Sequence, residues 1–171
     1  MLRLRPYKKC DARSIISWLN TKETFERWGG DHFGSYPIDE NTINDKYFNN
    51  NGDCVEEDNF YPMTAFDETG VVGHFIMRYT NGDNKNLRFG WVIVDSSKRG
   101  KGYGKEMLKL AIEYAFNILK VDRITIGVFE NNQPAYHCYK SIGFNEIDSD
   151  EEFFAMVDGE KWKIVELEIL R

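Results

Sequence analysis

The stretch that most restricts what this chain can fold into is Val92-Ile93-Val94, then four residues, then Arg99-Gly100-Lys101-Gly102-Tyr103-Gly104. A β-branched run ends there in a glycine-rich turn, and apolar residues at helical spacing follow it (Met107, Leu108, Ala111, Ile112, Ala115, Phe116 and Leu119). Glycines remove side chains from a turn whose backbone amides converge, and the positive end of the helix dipole faces whatever sits in the turn. Lys98, Arg99, Lys101 and Lys105 add four positive charges within eight residues, with no negative one before Glu106. A strand–turn–helix of this kind is built to hold a small polyanion.

Spacing separates the turns that do this. A nucleotide triphosphate loop needs Gly, four residues, then Gly-Lys-Ser/Thr; Gly104-Lys105 is followed by Glu106, and Arg99 stands where the first glycine belongs. A dinucleotide fingerprint needs a third glycine where Lys105 stands and a parallel βαβ setting, whereas residues 61–67, 71–80 and 87–94 read as an antiparallel meander. Both fail.

The turn resembles the acetyl-CoA-binding signature Arg/Gln-x-x-Gly-x-Gly/Ala of the GNAT acetyltransferase superfamily, with Arg99, Gly102 and Gly104 at its fixed positions. A separate match follows in residues 130–144, which are similar to the family's Asn-x-x-Ala-x-x-x-Tyr-x-x-x-Gly-Phe, with Asn132, Ala135, Tyr139, Gly143 and Phe144 in place. The resemblance runs over residues 2–170 in element order and is strongest over 90–144. Trp28 with its surroundings, and the phrase Phe89-Gly90-Trp91-Val92, look most like the branch that acetylates ribosomal-protein N-termini.

The resemblance implies an α/β (α+β) fold with a mixed, mostly antiparallel central sheet of about seven strands flanked by about four helices. The chain itself reads as strand, two helices, three strands, helix, strand, helix and two strands. Asp11 is expected to cap the first helix, residues 39–48 form the second, and residues 145–156 and 161–170 form a closing hairpin around Asp158-Gly159. At 171 residues, 42% apolar and 15% aromatic, the chain is sized for one domain, 1–171.

The resemblance also assigns roles. It implies a transferase that moves an acetyl group from acetyl-CoA to a primary amine, with Val92, Ile93 and Val94 along the pantetheine arm and the turn Arg99, Gly100, Lys101, Gly102, Tyr103, Gly104 and Lys105 on the pyrophosphate. Asn132 contacts the arm or the adenylate side, and an amide near Val92 holds the thioester oxygen as charge develops on it. Tyr139 protonates the departing thiolate; an ordinary tyrosine is protonated at pH 7 and serves as an acid without tuning.

The general base is where the pattern breaks. Relatives carry a glutamate in a phrase such as Glu-Ile-Gly before the glycine turn, and this sequence has Arg88-Phe89-Gly90. Glu130, Asp31, His32 and His74 are the remaining candidates, each with a surface or core role as its alternative. Deprotonating an amine of pKa about 10.4 at pH 7 costs about 4.6 kcal/mol, and one of pKa about 8 only about 1.4 kcal/mol. A missing base therefore favours an α-amine or a weakly basic amine, for which a water chain or the amine's own low pKa suffices. Cys138 beside His137 is no dyad, because neighbours on a helix point about 100° apart.

The acceptor stays open between a protein N-terminus and a small amine, and a catalytically silent acyl-CoA-binding module is the rival from another class. A net charge of −6 excludes a general nucleic-acid binder and suits a cationic acceptor. Cys10, Cys54 and Cys138 read as reduced thiols, mostly buried, with no metal-ligand spacing among them. No apolar run is long enough to span a bilayer or act as a leader, so the expected place is the cytoplasm, with no membrane partner. The apolar strands of the closing hairpin either pair in a homodimer or close the core.

Overall fold

The computed structural model describes residues 1–171. It contains β1 (Arg3–Pro6), α1 (Ala12–Trp18), α2 (Lys22–Trp28), α3 (Glu40–Asn44), β2 (Tyr61–Asp67), β3 (Gly70–Tyr79), β4 (Asn86–Val94), α4 (Tyr103–Asn117), β5 (Arg123–Phe129), α5 (Gln133–Ser141), β6 (Asn145–Glu146), β7 (Phe153–Val157) and β8 (Glu160–Leu170). All strands join one sheet of order β1-β2-β3-β4-β5-β8-β6, with β7 also on β8. Only β4 and β5 run parallel. The mixed, mostly antiparallel α/β fold expected from the sequence is present, with eight strands and five helices.

The extra elements have local causes. The helix α2 carries only Phe25 and Trp28 as buried residues, too few for a clear period. Its start is the Thr21 hydroxyl, which accepts from the Thr24 amide at 3.1 Å, and the pair Arg27–Glu23 at 2.7 Å ties successive turns. The expected strand 145–156 is split into β6 and β7, both paired with the eleven-residue β8. Asp11 does not cap α1. It is drawn the other way, accepting from Arg5 at 2.7 and 2.9 Å, from the Lys8 amide at 2.8 Å and from Thr64 at 2.8 Å. None of the three free cysteines is buried: Cys10 is exposed, Cys54 and Cys138 half-buried.

The sheet separates two cores. On one face Phe75, Met77, Leu87, Phe89, Ile124 and Ile126 pack against Met107, Leu108, Ala111 and Ala115 of α4 and Tyr139 of α5. On the other, Ile76 and Ile93 meet Ile15, Trp18, Phe25, Trp28, Ile43 and Tyr47 from the helical segment 12–49. The middle strands are thus covered on both sides, and the site is placed where they part. No helix is long and apolar enough to cross a membrane.

Candidate active site

The parallel pairing of β4 with β5 stops at Phe89 opposite Ile126. Beyond it, residues 90–94 of β4 and 127–129 of β5 have no strand between them and their edges diverge. The cause lies on the other side of β4. There Ile76 pairs with Gly90 but His74 with Ile93, so β4 carries one extra residue, and Trp91 takes φ +45°. A non-glycine residue in that region needs support from its surroundings. The Trp91 carbonyl accepts from Trp28 Nε1 at 2.9 Å, and its indole stacks on Tyr47 at 5.9 Å and meets Phe33 edge-on at 4.9 Å.

Behind this stack His74 is buried and its Nε2 lies 2.7 Å from the Tyr47 hydroxyl. Burial pushes its pKa down to about 3 from the usual 6.5. A folded pKa below the unfolded one means the contribution of His74 to stability is full above about pH 6.5 and is lost as pH falls toward 3. Denaturant melts of the wild type should show falling stability across that window, and His74→Gln a shallower fall; equal slopes would remove His74 from the account. His74 lines neither cavity described below, which excludes it as a direct base.

A cavity of about 570 Å³ runs along the open β4 edge to the glycine turn. Of the residues singled out in the sequence, Val92, Ile93, Val94, Arg99, Gly100, Gly102, Gly104, Lys105, Asn132 and Tyr139 line it. Lys101 and Tyr103 do not; Lys101 is exposed, and the Tyr103 hydroxyl reaches back to Asp67 at 3.3 Å. Gly100 and Gly102 sit at φ +75° and +88°, with only empty space where a Cβ would project. Gly102 is also the N-cap of α4, whose first amides face the turn.

The four basic residues divide. Lys98 is held by Asp67 at 3.4 Å and Thr69 at 2.5 Å. Arg99 gives its donors to the Val94 carbonyl at 3.2 Å and the Trp18 carbonyl at 3.1 Å, tying the end of β4 to the end of α1. Lys101 and Lys105 have no carboxylate within 4.0 Å and leave their charges for a ligand. The Asn132 side chain caps α5, its Oδ1 accepting from the Ala135 amide at 3.5 Å. Cys138 stands on the cavity wall, and burial raises its thiol pKa, the reverse of what a nucleophile needs.

A second cavity, about 270 Å³, opens on the other side of the gap. The two share Arg27, Trp28, Val92, Asn132, Ala135 and Tyr139. Tyr139 is 6% exposed, and burial, with the Cys138 thiol beside it, holds its pKa well above the ordinary tyrosine value. Asp31 and His32, 3.5 Å apart, stand on the second cavity's wall. Glu130 does not; it lines a third groove, which shares Arg88 and Ile164 with the second cavity. Arg88, at the position of the missing glutamate, is itself gripped by Glu166 of β8 with two bonds of 2.6 and 2.8 Å. Gly127 makes room for that pair, since a Cβ there would lie 2.7 Å from Arg88 Nη2. Nothing in the local sequence connects residues 88 and 166; the alternation of β8 alone puts Glu166 on the right face.

An anion-binding turn at a helix N-terminus, an unpaired strand edge leading from it and a junction with a second cavity fit a long phosphorylated cofactor with an extended arm. The turn amides with Lys105 would hold its pyrophosphate, and the β4 edge at Val92 and Val94 its arm.

Comparison with known proteins agrees with this geometry. Residues 1–145 match the family described as acetyltransferase (GNAT) domain. The spermine/spermidine N(1)-acetyltransferase of Bacillus subtilis (strain 168) is 33% identical over 124 residues, 67% of this chain and 78% of that protein. An L-amino acid N-acetyltransferase of Escherichia coli (strain K12) is 35% identical over 100 residues, 57% of this chain and 60% of that one. Among solved structures, spermidine N-acetyltransferase from Vibrio cholerae in complex with CoA and spermine superposes with a TM-score of 0.78 at 22% identity, over 99% of this chain and 95% of that chain. These relatives correct the expected kinship with acetyltransferases of ribosomal-protein N-termini. The residues that suggested it, Trp28 and Trp91, instead build the strand bulge.

Proposed function

Since the chain belongs to the GNAT acetyltransferase family and is an acetyl-CoA-dependent N-acetyltransferase, we propose that its acceptor is the primary amine of a small molecule. One observation carries this reading: the cofactor-side cavity and a compact second cavity meet at Val92 and Tyr139, so an amine in the second faces the gap between β4 and β5. The second cavity, at about 270 Å³, has the capacity of a small acceptor. Small amines are also what the named relatives acetylate, polyamines in one case and amino acids in another.

Acetyl-CoA supplies an acetyl group activated as a thioester. The chain supplies position and charge. The β4 edge at Val92 and Val94 orients the arm, and the bulge at Trp91 aims an amide toward the thioester oxygen, where negative charge grows as nitrogen attacks. Tyr139 gives its hydroxyl proton to the departing sulfur, and Asp31, His32 or an intervening water takes the proton lost by the amine. Side-chain positioning by Arg99 and Asn132 keeps the turn and α5 in register with the gap.

Thiol release from acetyl-CoA, measured across polyamines, amino acids and short peptides with free N-termini, tests the reading. Turnover of a small amine at least about 100-fold above every peptide is expected, a difference of about 2.7 kcal/mol in transition-state binding. Peptides as the best acceptors would overturn it. Tight binding of acetyl-CoA with no thiol release to any acceptor would favour the silent module.

A further inference from the structure

The walls of the second cavity carry five charged side chains, four of them with a partner. Arg88 is neutralised by Glu166 at 2.6 Å, Arg27 by Glu23 at 2.7 Å and Asp53 by Lys46 at 2.6 Å. Asp31 faces His32. Arg78 has no carboxylate within 4.0 Å. It comes from β3 directly opposite Arg88 of β4, so two guanidinium groups share one face of the sheet and only one is compensated. Its neighbour is the half-buried Cys54 thiol, where burial raises the pKa and Arg78 works against that rise. On the same wall the Nε of Arg27 is buried and donates to nothing.

A part-buried guanidinium without an anion, in a cavity that also holds an unfilled N–H donor, leaves a place for a further acceptor oxygen. The chain's net charge of −6 attracts polycations to its surface, but inside this cavity Asp31 and Arg78 leave one carboxylate and one guanidinium without a charged partner, the pattern of a zwitterion. A polyamine keeps further ammonium groups after its attacking amine is neutral, and these would stand against Arg78, with Asp53 already paired to Lys46 and Asp31 alone to meet them. A carboxylate matches the planar fork of Arg78.

Resting on the reading of a small-amine acceptor, we infer that this acceptor carries a carboxylate besides its amine, and that Arg78 receives it. The acceptor class is then an amino acid and not a polyamine.

The test compares amino acids, their carboxamides and polyamines as acceptors, with wild type, Arg78→Gln and Arg78→Lys. Wild-type kcat/KM should favour an amino acid over its carboxamide by about 10- to 100-fold, and Arg78→Gln should collapse that ratio to within about threefold, with Arg78→Lys between them. Calorimetry with an N-acetyl amino acid and its amide gives a readout free of turnover, in which the acid alone should bind and should need Arg78. Equal use of acid and carboxamide by the wild type, or preference for a polyamine, would overturn the inference while leaving small-amine acetylation standing. Binding of the N-acetyl amino acid without turnover of any amine would do the opposite.

Discussion

Gly102→Val should raise the KM for acetyl-CoA by about 100-fold while the protein still folds. Gly102 sits at φ +88° as the N-cap of α4. A β-branched residue there costs on the order of 1–3 kcal/mol in backbone strain, and its side chain would project into the space where no atom of the chain lies within 4 Å. Strain alone would show as a melting temperature lower by several degrees; an occluded anion site would show as lost affinity. Gly104→Ala separates the two. Gly104 has ordinary helical backbone, and a Cβ there would meet Val94 Cγ2 at 3.6 Å and Cys138 Sγ at 3.9 Å, normal contact distances. Affinity for acetyl-CoA within about twofold of wild type is expected for it. An unaltered acetyl-CoA affinity in Gly102→Val would mean that the turn is not where the pyrophosphate lies.

The second large effect concerns Tyr139. Tyr139→Phe keeps the ring that packs on Phe144 at 6.3 Å and removes only the hydroxyl. Loss of a positioned acid typically costs 10²–10⁴-fold in rate, so kcat should fall by at least about 100-fold with the acetyl-CoA KM nearly unchanged. Burial holds this hydroxyl protonated well above the ordinary tyrosine range. Wild-type activity should accordingly show no decline from Tyr139 ionisation up to about pH 10. A kcat within about threefold of wild type in Tyr139→Phe, with melting temperature preserved, would leave Tyr139 a core residue and place the proton elsewhere.

Both effects trace to segments that were readable in the sequence. The meander strands, expected at 61–67, 71–80 and 87–94, fall within one residue of β2, β3 and β4, and a helix follows the turn as its apolar spacing requires. The missed helix α2 and the division of β6 from β7 were weakly marked, because one has two buried residues and the other owes its pairing to β8. The role expected of Arg99 changed most. Its charge belongs to the signature, yet its Nε and Nη2 donate to the carbonyls of Val94 and Trp18, the latter 81 residues away, which leaves Nη1 to the cavity.

What the sequence determined by itself is therefore the local chemistry: glycines where φ is positive and a helix N-terminus facing the turn, with Asn132 and Tyr139 named through the resemblance and the cap that Asn132 makes on α5 shown only by the structure. These depend on interactions within a few residues, which composition and spacing express directly. Only the tertiary structure decided the bulge at Trp91, the gap between β4 and β5, the burial of His74 and the charge of the second cavity. The Trp28–Trp91 bond spans 63 residues and the Arg88–Glu166 pair spans 78. Contacts at such separations exist only after the sheet has brought the strands into register, and that register follows from the whole set of buried faces.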